Sequence, residues 1–335
     1  MINAAIVGYG YWGPNLVRNF NNHDEVNIKY VCELKQDRLQ KVKRQTNAET
    51  TTDYDVIISD PTVDIVAIAT PVNTHYTLAK KALLAKKHVF IEKPMTNKVE
   101  DSEELVKIAR DNQLILMVDH TFVYTGAVRK MKQLIQSGTL GDIYYFDSVR
   151  VNLGLFQSDI NVLGDLAPHD LSIILYIIDK KPISVSAIGV AHVEQQLENI
   201  AYLTLYYPDN TLAHFHVNWL SPVKIRKMLI CGSSKMIVYD DMENLEKIKI
   251  YDKGLDLGMD NKDNLYRTLI EYRTGDMYAP KLDGTEALNY EIQHFVSSVQ
   301  NKKQPITDGT FGLEVVKILQ AAQISMERKG EVIQL

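Results

Sequence analysis

The chain has 335 residues, of which 45% are hydrophobic and 24% charged, which suits two globular domains and excludes a disordered chain. Its net charge of -5 argues against binding to the nucleic-acid backbone, because domains that do so concentrate basic residues. Two cysteines exclude a disulfide framework, and no apolar run is long enough to span a bilayer. The first residues enter a strand without a signal peptide. A cytoplasmic protein without a nucleic-acid or membrane partner is therefore expected.

The first predicted element is a short apolar strand at residues 3–7, and a glycine-rich turn follows it. Gly8, Gly10 and Gly13 fit the pattern G-x-G-x-x-G, and a helical pattern begins directly afterwards. The first glycine allows a sharp turn, the second lets the backbone approach a pyrophosphate, and the third lets the helix pack tightly on the strand. The sequence therefore predicts a dinucleotide phosphate at this helix N-terminus. The alternative is an accidental glycine turn in another α/β protein.

An acidic residue supports the dinucleotide interpretation. Glu33 follows the second predicted strand, residues 27–32, where a carboxylate would accept hydrogen bonds from the adenosine ribose hydroxyls. Its charge would repel a 2′-phosphate, so NAD is favoured as the cofactor. Lys35 and Arg38 lie close by in the sequence and keep NADP possible.

Strand and helix patterns alternate through the first third of the chain. Val63–Ala69 is a nearly all-apolar strand of the kind that parallel sheets bury on both faces. Further strands are predicted at 87–91 and 114–118, with helices at 36–44, 75–86 and 100–110. This alternation predicts a Rossmann domain with a doubly wound parallel sheet over residues 1–118.

The pattern changes after residue 118. A helix is predicted at 127–137, and long alternating runs then follow, at 142–152, 183–192, 200–207, 212–220, 223–231, 235–239 and 247–251. One helix, predicted to begin at Pro168, interrupts these runs, residues 252–283 read as a polar irregular loop, and helices at 285–300 and 313–327 close the chain. These patterns predict a C-terminal α+β domain, residues 119–335, with a large, mainly antiparallel open sheet. The chain as a whole is assigned to the α/β class.

Thr70, Pro71 and His75 directly follow the central strand. Ligands of open α/β sheets bind at the carboxyl ends of the strands, so this turn is expected to border the cofactor. The alternative is an ordinary proline turn before a helix.

Glu92, Lys93 and Pro94 follow the next strand, at the same edge of the sheet. An ammonium group there would lie near the nicotinamide, hold a substrate hydroxyl and stabilise developing negative charge on its oxygen. The alternative is a solvated surface lysine, which is the usual environment of this residue type.

A third candidate lies in the second domain. Asp165 and His169 are four residues apart, so their side chains can meet on one helix face, and an imidazole beside a carboxylate can act as a general base. The alternative is that Asp165 only caps the helix and His169 packs beneath it. No metal site is expected, since the nine histidines are scattered and no H-E-x-x-H motif is present.

Taken together, these motifs resemble the glucose–fructose oxidoreductase, inositol dehydrogenase and MocA family over essentially the whole chain. The resemblance implies an N-terminal Rossmann domain that holds NAD or NADP tightly, and a C-terminal open sheet used for contacts in a homo-oligomer, a dimer or a tetramer. It also implies that Lys93 and His169 form the catalytic pair, that Asp165 orients His169, and that the Lys93–Pro94 peptide is often cis. The expected cofactor contacts are Gly8, Gly10, Tyr11, Trp12, Gly13, Glu33, Arg38, Thr70, Pro71, His75, Glu92 and Lys93.

A narrower resemblance rests on residues 118–124, 149–152, 165–172 and 278–283. These segments are similar to WlbA-type enzymes of surface-polysaccharide pathways, which oxidise the C3 hydroxyl of UDP-N-acetylglucosamine or its uronic acid to a ketone. The residues proposed to bind a nucleotide-activated sugar are Lys93, His120, Tyr124, Arg150, Asn152, Asp165, His169 and Lys227. A dehydrogenase of a free polyol or hexose, and a dinucleotide-binding sensor without chemistry, remain as alternatives.

Overall fold

The computed structural model of the chain describes residues 1–154, 160–193, 197–252, 254–257, 270–273 and 275–335, with only the backbone of 254–257 and 270–273. The chain forms two compact units. The first contains Met1–Tyr124 and Thr285–Gln320, and the second contains Thr125–Gly284 and Ala321–Leu335. The sequence-based division at residue 118 differs from this one, because the chain returns to the first unit near its C-terminus.

The described helices and strands account for most of the elements that the sequence predicts. In chain order the helices are α1 Gly13–Asn21, α2 Gln36–Gln45, α3 Tyr54–Ser59, α4 Val72–Leu84, α5 Val99–Asp111, α6 Gly126–Gln136, α7 Val162–Ile177, α8 Ala287–Asn301 and α9 Gly309–Glu327. The strands are β1 Ile2–Val7, β2 Val26–Cys32, β3 Glu49–Thr51, β4 Ile65–Ile68, β5 His88–Glu92, β6 Leu116–Asp119, β7 Ile143–Leu153, β8 Ser184–Val190, β9 Ile200–Tyr206, β10 Leu212–Asn218, β11 Leu220–Gly232, β12 Met236–Asp240, β13 Ile248–Tyr251, β14 Gly254–Leu257, β15 Ile270–Arg273, β16 Met277–Tyr278 and β17 Ile333–Gln334.

The first unit contains a six-stranded sheet in the order β3-β2-β1-β4-β5-β6, and every neighbouring pair is parallel. Each of the four residues of β4 is fully buried, as expected of a strand with helices on both faces. The strand order reverses between β1 and β4, so the crevice at their carboxyl ends is the expected ligand site. The predicted Rossmann fold is confirmed.

The returning segment covers the edge strand β6. The Val118 amide donates to the Thr307 carbonyl over 2.8 Å, and the Thr307 hydroxyl donates to the Val118 carbonyl over the same distance. Gly312 packs so closely that an added Cβ would lie 2.5 Å from a Val118 methyl carbon. An uncovered edge strand would expose unpaired backbone groups, and this contact explains why the segment belongs to the first unit.

The second unit contains a nine-stranded sheet in the order β16-β13-β12-β11-β7-β10-β9-β8-β17. The β7–β10 pair is parallel, and the other described pairs of this sheet are antiparallel, which confirms the predicted mainly antiparallel sheet. Part of the predicted irregular loop, 252–283, forms the separate β14–β15 hairpin and β16. Residues 253, 258–269 and 274 of that loop lie outside the described residues.

One face of this sheet carries exposed apolar and aromatic side chains. Ile188 pairs across from Tyr202, which in turn pairs across from His216, and the Tyr202 and His216 rings stack with their centroids 4.5 Å apart. Ile188 and Tyr202 are both exposed. The homo-oligomer stays a prediction. In the described part of the chain, none of the helices combines the length and apolar character needed to cross a membrane.

Helix α7 begins earlier than predicted. Its N-cap is Asn161, whose side-chain oxygen accepts the Gly164 amide over 3.0 Å, and Pro168 lies inside the helix. The predicted start at Pro168 is therefore wrong, because the polar residue that caps the helix, Asn161, lies about two turns before that proline. As a result, Asp165 and His169 are both helical residues one turn apart.

Candidate active site

The turn between β1 and α1 is closely packed at its first and third glycines. Gly8 has a φ of 95°, and an added Cβ would lie 2.4 Å from the Ala69 carbonyl oxygen. A Cβ on Gly13 would lie 2.3 Å from the Gly8 carbonyl oxygen. A Cβ on Gly10, by contrast, would meet no described atom closer than Arg38 Nη1 at 3.7 Å. The protein itself therefore has room at Gly10, which fits a residue kept small for a ligand.

Substitutions at these glycines should separate folding from cofactor binding. We expect Gly10→Ala to fold normally but to weaken NAD binding by about tenfold or more, because the methyl group would occupy the approach of the pyrophosphate. Gly13→Ala should instead lower the free energy of unfolding by about 1–3 kcal/mol through overpacking. Calorimetric NAD titration and thermal unfolding measure the two effects. Gly284→Ala, which has open space around the new methyl group, is the control. Wild-type NAD affinity in Gly10→Ala would contradict this assignment.

Glu33 lies where an adenosine ribose is expected and is held as an anion. Its Oε2 accepts the Tyr9 amide over 2.9 Å and Arg38 Nη1 over 3.2 Å, and its Oε1 accepts the Lys35 amide over 2.9 Å. Burial alone would raise the pKa of Glu33, but these hydrogen bonds and the Arg38 charge outweigh it and lower the pKa below the ordinary value. The geometry suits NAD, since a negative side chain disfavours a 2′-phosphate.

His75 lies beneath the two turns that follow β4 and β5. Its Nε2 is 2.8 Å from the Thr70 carbonyl oxygen and its Nδ1 is 3.0 Å from the Pro94 carbonyl oxygen, with the donor fixed by the tautomer. The ring is 1% exposed, and burial lowers the pKa of His75. The structure thus places His75 where it holds the two turns together, whereas Pro71 at the start of α4 is exposed.

Glu92 is the last residue of strand β5 and Lys93 directly follows it. The Lys93–Pro94 peptide is cis, as the resemblance implies. Glu92 lies against Asp119, the last residue of β6, and Asp119 also contacts Glu291 from α8. We refer to Glu92, Asp119 and Glu291 as the carboxyl cluster. Burial first, and then the Asp119 charge, raise the pKa values of both Glu92 and Glu291 well above the ordinary value.

The two aromatic residues of the glycine turn differ in their surroundings. Tyr11 is 87% exposed, so its ring extends into solvent. Trp12 turns inward, and its Nε1 donates to Asp119 Oδ2 over 2.7 Å. Trp12 therefore links the glycine turn to the end of strand β6 by a hydrogen bond.

His120 and Tyr124, two of the predicted substrate residues, lie inside the first unit. His120 is 1% exposed, and burial, followed by the charge of Lys93, lowers the pKa of its imidazole to about 3. Tyr124 is fully buried, and its hydroxyl lies 3.1 Å from the Thr307 hydroxyl. His120 is therefore neutral, and the positive charge of Lys93 contributes to the low pKa of its imidazole. Tyr124 packs in the core of the first unit.

Asp165 and His169 lie on one face of α7 in the second unit, both half-buried. The buried Trp219 donates its Nε1 to Asp165 Oδ2 over 3.2 Å, which fixes the position of that carboxylate. Residues four apart on a helix face each other, so Asp165 is suited to orient the His169 ring.

Three further predicted substrate residues have different environments. Arg150 is buried, and its Nε and Nη2 donate to Asp170 Oδ1 over 2.9 and 2.6 Å, so this guanidinium is engaged inside the unit. This burial does not fit the prediction that Arg150 contacts the substrate. Lys227 is exposed and lies 3.6 Å from an Asp240 oxygen. Asn152 is half-buried on the same strand as Arg150.

The sequence left Asp119 and Glu291 unassigned. Asp119 follows an apolar strand at the same sheet edge as Lys93, and this signal could have identified it. No local sequence pattern marks Glu291 as a site residue, because its helix belongs to the segment that returns to the first unit from far along the chain. Among the residues that the structure describes, no group of three or more His, Cys, Asp or Glu side chains could hold a metal ion.

Two family models match most of the chain. The model described as "Oxidoreductase family, NAD-binding Rossmann fold" matches residues 2–120, and the model described as "GFO/IDH/MocA C-terminal domain" matches residues 128–238. Both matches agree with the observed units: the first covers the parallel sheet, and the second lies within the unit that holds α7.

Similar curated proteins include enzymes with several activities. The 2,7-anhydro-N-acetylneuraminate hydratase of Escherichia coli is 27% identical over 75% of this chain and 70% of that protein. The myo-inositol 2-dehydrogenase of Thermotoga maritima is 23% identical over 98% of this chain and 97% of its own length. The UDP-N-acetylglucosamine 3-dehydrogenase of Acidithiobacillus ferrooxidans is 25% identical over 97% of each chain. A crystal form of that last protein superposes with a TM-score of 0.82 at 23% identity, covering 98% of each chain.

Proposed function

The chain belongs to the glucose–fructose oxidoreductase, inositol dehydrogenase and MocA family of NAD-binding oxidoreductases, and we propose that it oxidises the C3 hydroxyl of a UDP-activated sugar. The proposed substrate is UDP-N-acetylglucosamine or its uronic acid, and the product is the 3-keto sugar. The observation that carries this proposal is the similarity to the Acidithiobacillus 3-dehydrogenase, which extends over 97% of both chains. The motif segments at residues 118–124 and 165–172 support the same substrate class.

In the proposed mechanism, a general base and a positively charged side chain act on the hydroxyl group that is oxidised. His169 takes the proton of the C3 hydroxyl, and Asp165, itself held by Trp219, stabilises the resulting imidazolium. Lys93 donates a hydrogen bond to the same oxygen and stabilises the negative charge that develops as the carbonyl forms. NAD bound beside the glycine turn would supply the hydride acceptor for this oxidation.

Charge at the adenosine end supports NAD as the working cofactor. The Glu33 carboxylate and Arg38 form a pair at 3.2 Å, so the guanidinium that could have received a 2′-phosphate is already engaged by an anion. Lys227 and Asn152 are the remaining proposed contacts for the nucleotide or sugar, because one is exposed and the other half-exposed. Lys227 could contact a phosphate as a point charge.

A substrate panel tests the proposal. UDP-N-acetylglucosamine, its uronic acid, free N-acetylglucosamine and myo-inositol are supplied with NAD, and the absorbance of the reduced nicotinamide is followed. We expect kcat/KM for a UDP-sugar to exceed that for either free compound by about two orders of magnitude or more, because a polar site loses its partners when the nucleotide is missing. Deuterium at C3 should be transferred to the cofactor, and deuterium at C4 should stay in the sugar.

The alternative is a dehydrogenase of a free polyol, which the similarity to the Thermotoga inositol dehydrogenase favours. This alternative uses the same catalytic residues, Lys93 and His169. It differs only in that no nucleotide binds beside the sugar or polyol. Turnover of myo-inositol together with inactivity toward both UDP-sugars would replace the proposal by this alternative. NAD binding without reduction by any sugar or polyol would instead support a sensor.

A further inference from the structure

Trp12 occupies the N-cap of α1, a position that usually holds a side chain able to accept hydrogen bonds from helix amides. An indole carries one donor and no acceptor, so Trp12 cannot cap the helix through its side chain. Its N–H is instead directed to Asp119 Oδ2, which lies 2.7 Å away. The side chain of this residue therefore serves a purpose other than capping.

Asp119 holds the indole in a fixed position. Its carboxylate is 2% exposed, Oδ2 accepts the Trp12 indole N–H, and Oδ1 accepts the Thr121 hydroxyl. A buried carboxylate with a donor at each oxygen resists rotation, because turning it would break both hydrogen bonds. Trp12 itself is half-buried, so part of this residue remains accessible to a ligand.

The hydrogen bond brings the indole to the ends of strands that are distant from its own. In the sheet order β3-β2-β1-β4-β5-β6, Trp12 belongs to the turn after β1, whereas Asp119 is the last residue of β6. Three strand spacings, about 14 Å, separate β1 from β6. Asp119 also pairs in register with Glu92 at the end of β5. The indole therefore lies at the carboxyl edge of the sheet, beside the strand ends that Lys93 follows.

The direction of a bound dinucleotide along this edge follows from two other sites. Glu33, directly after β2, marks the expected position of the adenosine ribose, and the glycine turn after β1 marks that of the pyrophosphate. The nicotinamide half then extends away from β2, toward the ends of β4, β5 and β6. This direction leads to the indole that Asp119 holds.

We propose that the Trp12 indole is the surface against which the nicotinamide ring packs, and that Asp119 is the positioning residue that holds the indole there. An aromatic face attracts a second planar ring by dispersion, and it attracts the positive charge of the oxidised nicotinamide as well. The glycine turn then serves both halves of the cofactor: its backbone receives the pyrophosphate, and its tryptophan receives the ring. The proposal concerns the cofactor alone and does not depend on which sugar is oxidised.

Calorimetric titrations with NAD+ and with ADP-ribose, without any sugar, test the contact in the full-length protein. ADP-ribose retains the adenosine, the pyrophosphate and the second ribose but has no nicotinamide, so comparison of the two affinities isolates the ring. We expect Trp12→Leu to lower NAD+ affinity by about tenfold, because the ring would lose its aromatic partner. The ADP-ribose affinity of this variant should stay within about twofold of wild type.

Further variants test the hydrogen bond. Asp119→Asn removes the charge but keeps an oxygen that accepts the indole N–H, so its NAD+ affinity should stay within about threefold of wild type. Asp119→Leu has no acceptor, and its NAD+ affinity should fall by nearly as much as that of Trp12→Leu. Trp12→Phe removes the same hydrogen bond from the other partner and should give an intermediate loss. Tyr144→Ala, which removes an exposed aromatic ring from β7, is the control and should match wild type.

Fluorine NMR of protein labelled with 5-fluorotryptophan gives a readout that is independent of affinity. The chain has two tryptophans, Trp12 and Trp219, so two signals are expected, and Trp12→Phe identifies the first. NAD+ should shift the Trp12 signal further than ADP-ribose does, because only NAD+ brings a ring to the indole.

An equal loss of NAD+ and ADP-ribose affinity in Trp12→Leu would overturn the proposal, because the indole would then support only the turn. Equal shifts of the Trp12 signal with both ligands would overturn it too. Wild-type NAD+ affinity in Asp119→Leu, or in Trp12→Phe if the former does not fold, would refute the positioning role of Asp119. Since no sugar is present, a wrong substrate assignment leaves all of these measurements unaffected.

Discussion

Replacement of Lys93 by methionine should lower kcat by about 10²–10⁴-fold, because the substrate oxygen would lose the charge that stabilises it during hydride transfer. Methionine retains most of the aliphatic stem, so packing around the β5 end should be preserved. His169→Ala should cause a loss of the same order, since the proton of the hydroxyl would have no base. Steady-state kinetics with the best substrate of the panel measure both effects.

Two controls distinguish chemistry from folding. Lys98→Met removes an exposed lysine five residues further along and should leave kcat unchanged. NAD affinity of Lys93→Met should stay within a few fold of wild type, because the pyrophosphate and ribose contacts lie on the glycine turn and Glu33. Near-normal turnover in both Lys93→Met and His169→Ala would show that the catalytic pair is wrongly assigned.

Arg150→Met should lower the free energy of unfolding by about 3–5 kcal/mol, the largest stability effect that we expect. The guanidinium and Asp170 are 3% and 1% exposed, and Asp170 also accepts the Ser148 hydroxyl over 2.8 Å. Loss of the arginine would leave a buried carboxylate with one neutral donor and no compensating charge. Urea unfolding followed by circular dichroism measures the change.

The double variant Arg150→Met with Asp170→Leu should recover much of that loss, since it removes both charges together. Arg18→Met, which breaks an ion pair with Glu286 that is half-exposed on both sides, should cost only about 0–1 kcal/mol. A stable Arg150→Met protein with impaired substrate binding would restore the original prediction that Arg150 contacts the substrate.

Features encoded within a few residues were predictable from the sequence. The glycine turn follows from spacing and from the backbone conformations that only glycine adopts readily, and Glu33 follows from its place after the second strand. Lys93 could be placed at the sheet edge because parallel strands end together. In these cases the sequence neighbours of a residue are also its structural neighbours, so local patterns were enough.

Features that depend on distant segments were not predictable. Arginine is a common phosphate ligand, which led to the prediction for Arg150. Only the packing of α7 on β7 shows that its guanidinium is already paired with Asp170. The start of α7 was misplaced because the sequence offers two ordinary signals for a helix start, a proline in the first turn and an asparagine at the N-cap. The prediction used Pro168, whereas the helix begins after Asn161. Glu291 lies on a helix whose pattern indicates only one apolar face.

The return of residues 285–320 to the first unit has a consequence for the order in which the protein is made. A ribosome releases the parallel sheet early. The segment around Thr307 that covers β6 and the third carboxyl group of the cluster emerge only after strands β7 to β16 have been made. During that interval the edge of β6 has no partner from Thr307 and resembles a strand edge open to other chains. A gene fragment cut at the end of the sheet would encode a nucleotide-binding unit with the same open edge. Fragments meant to retain cofactor chemistry should therefore carry residues 285–320 joined back to the first 124.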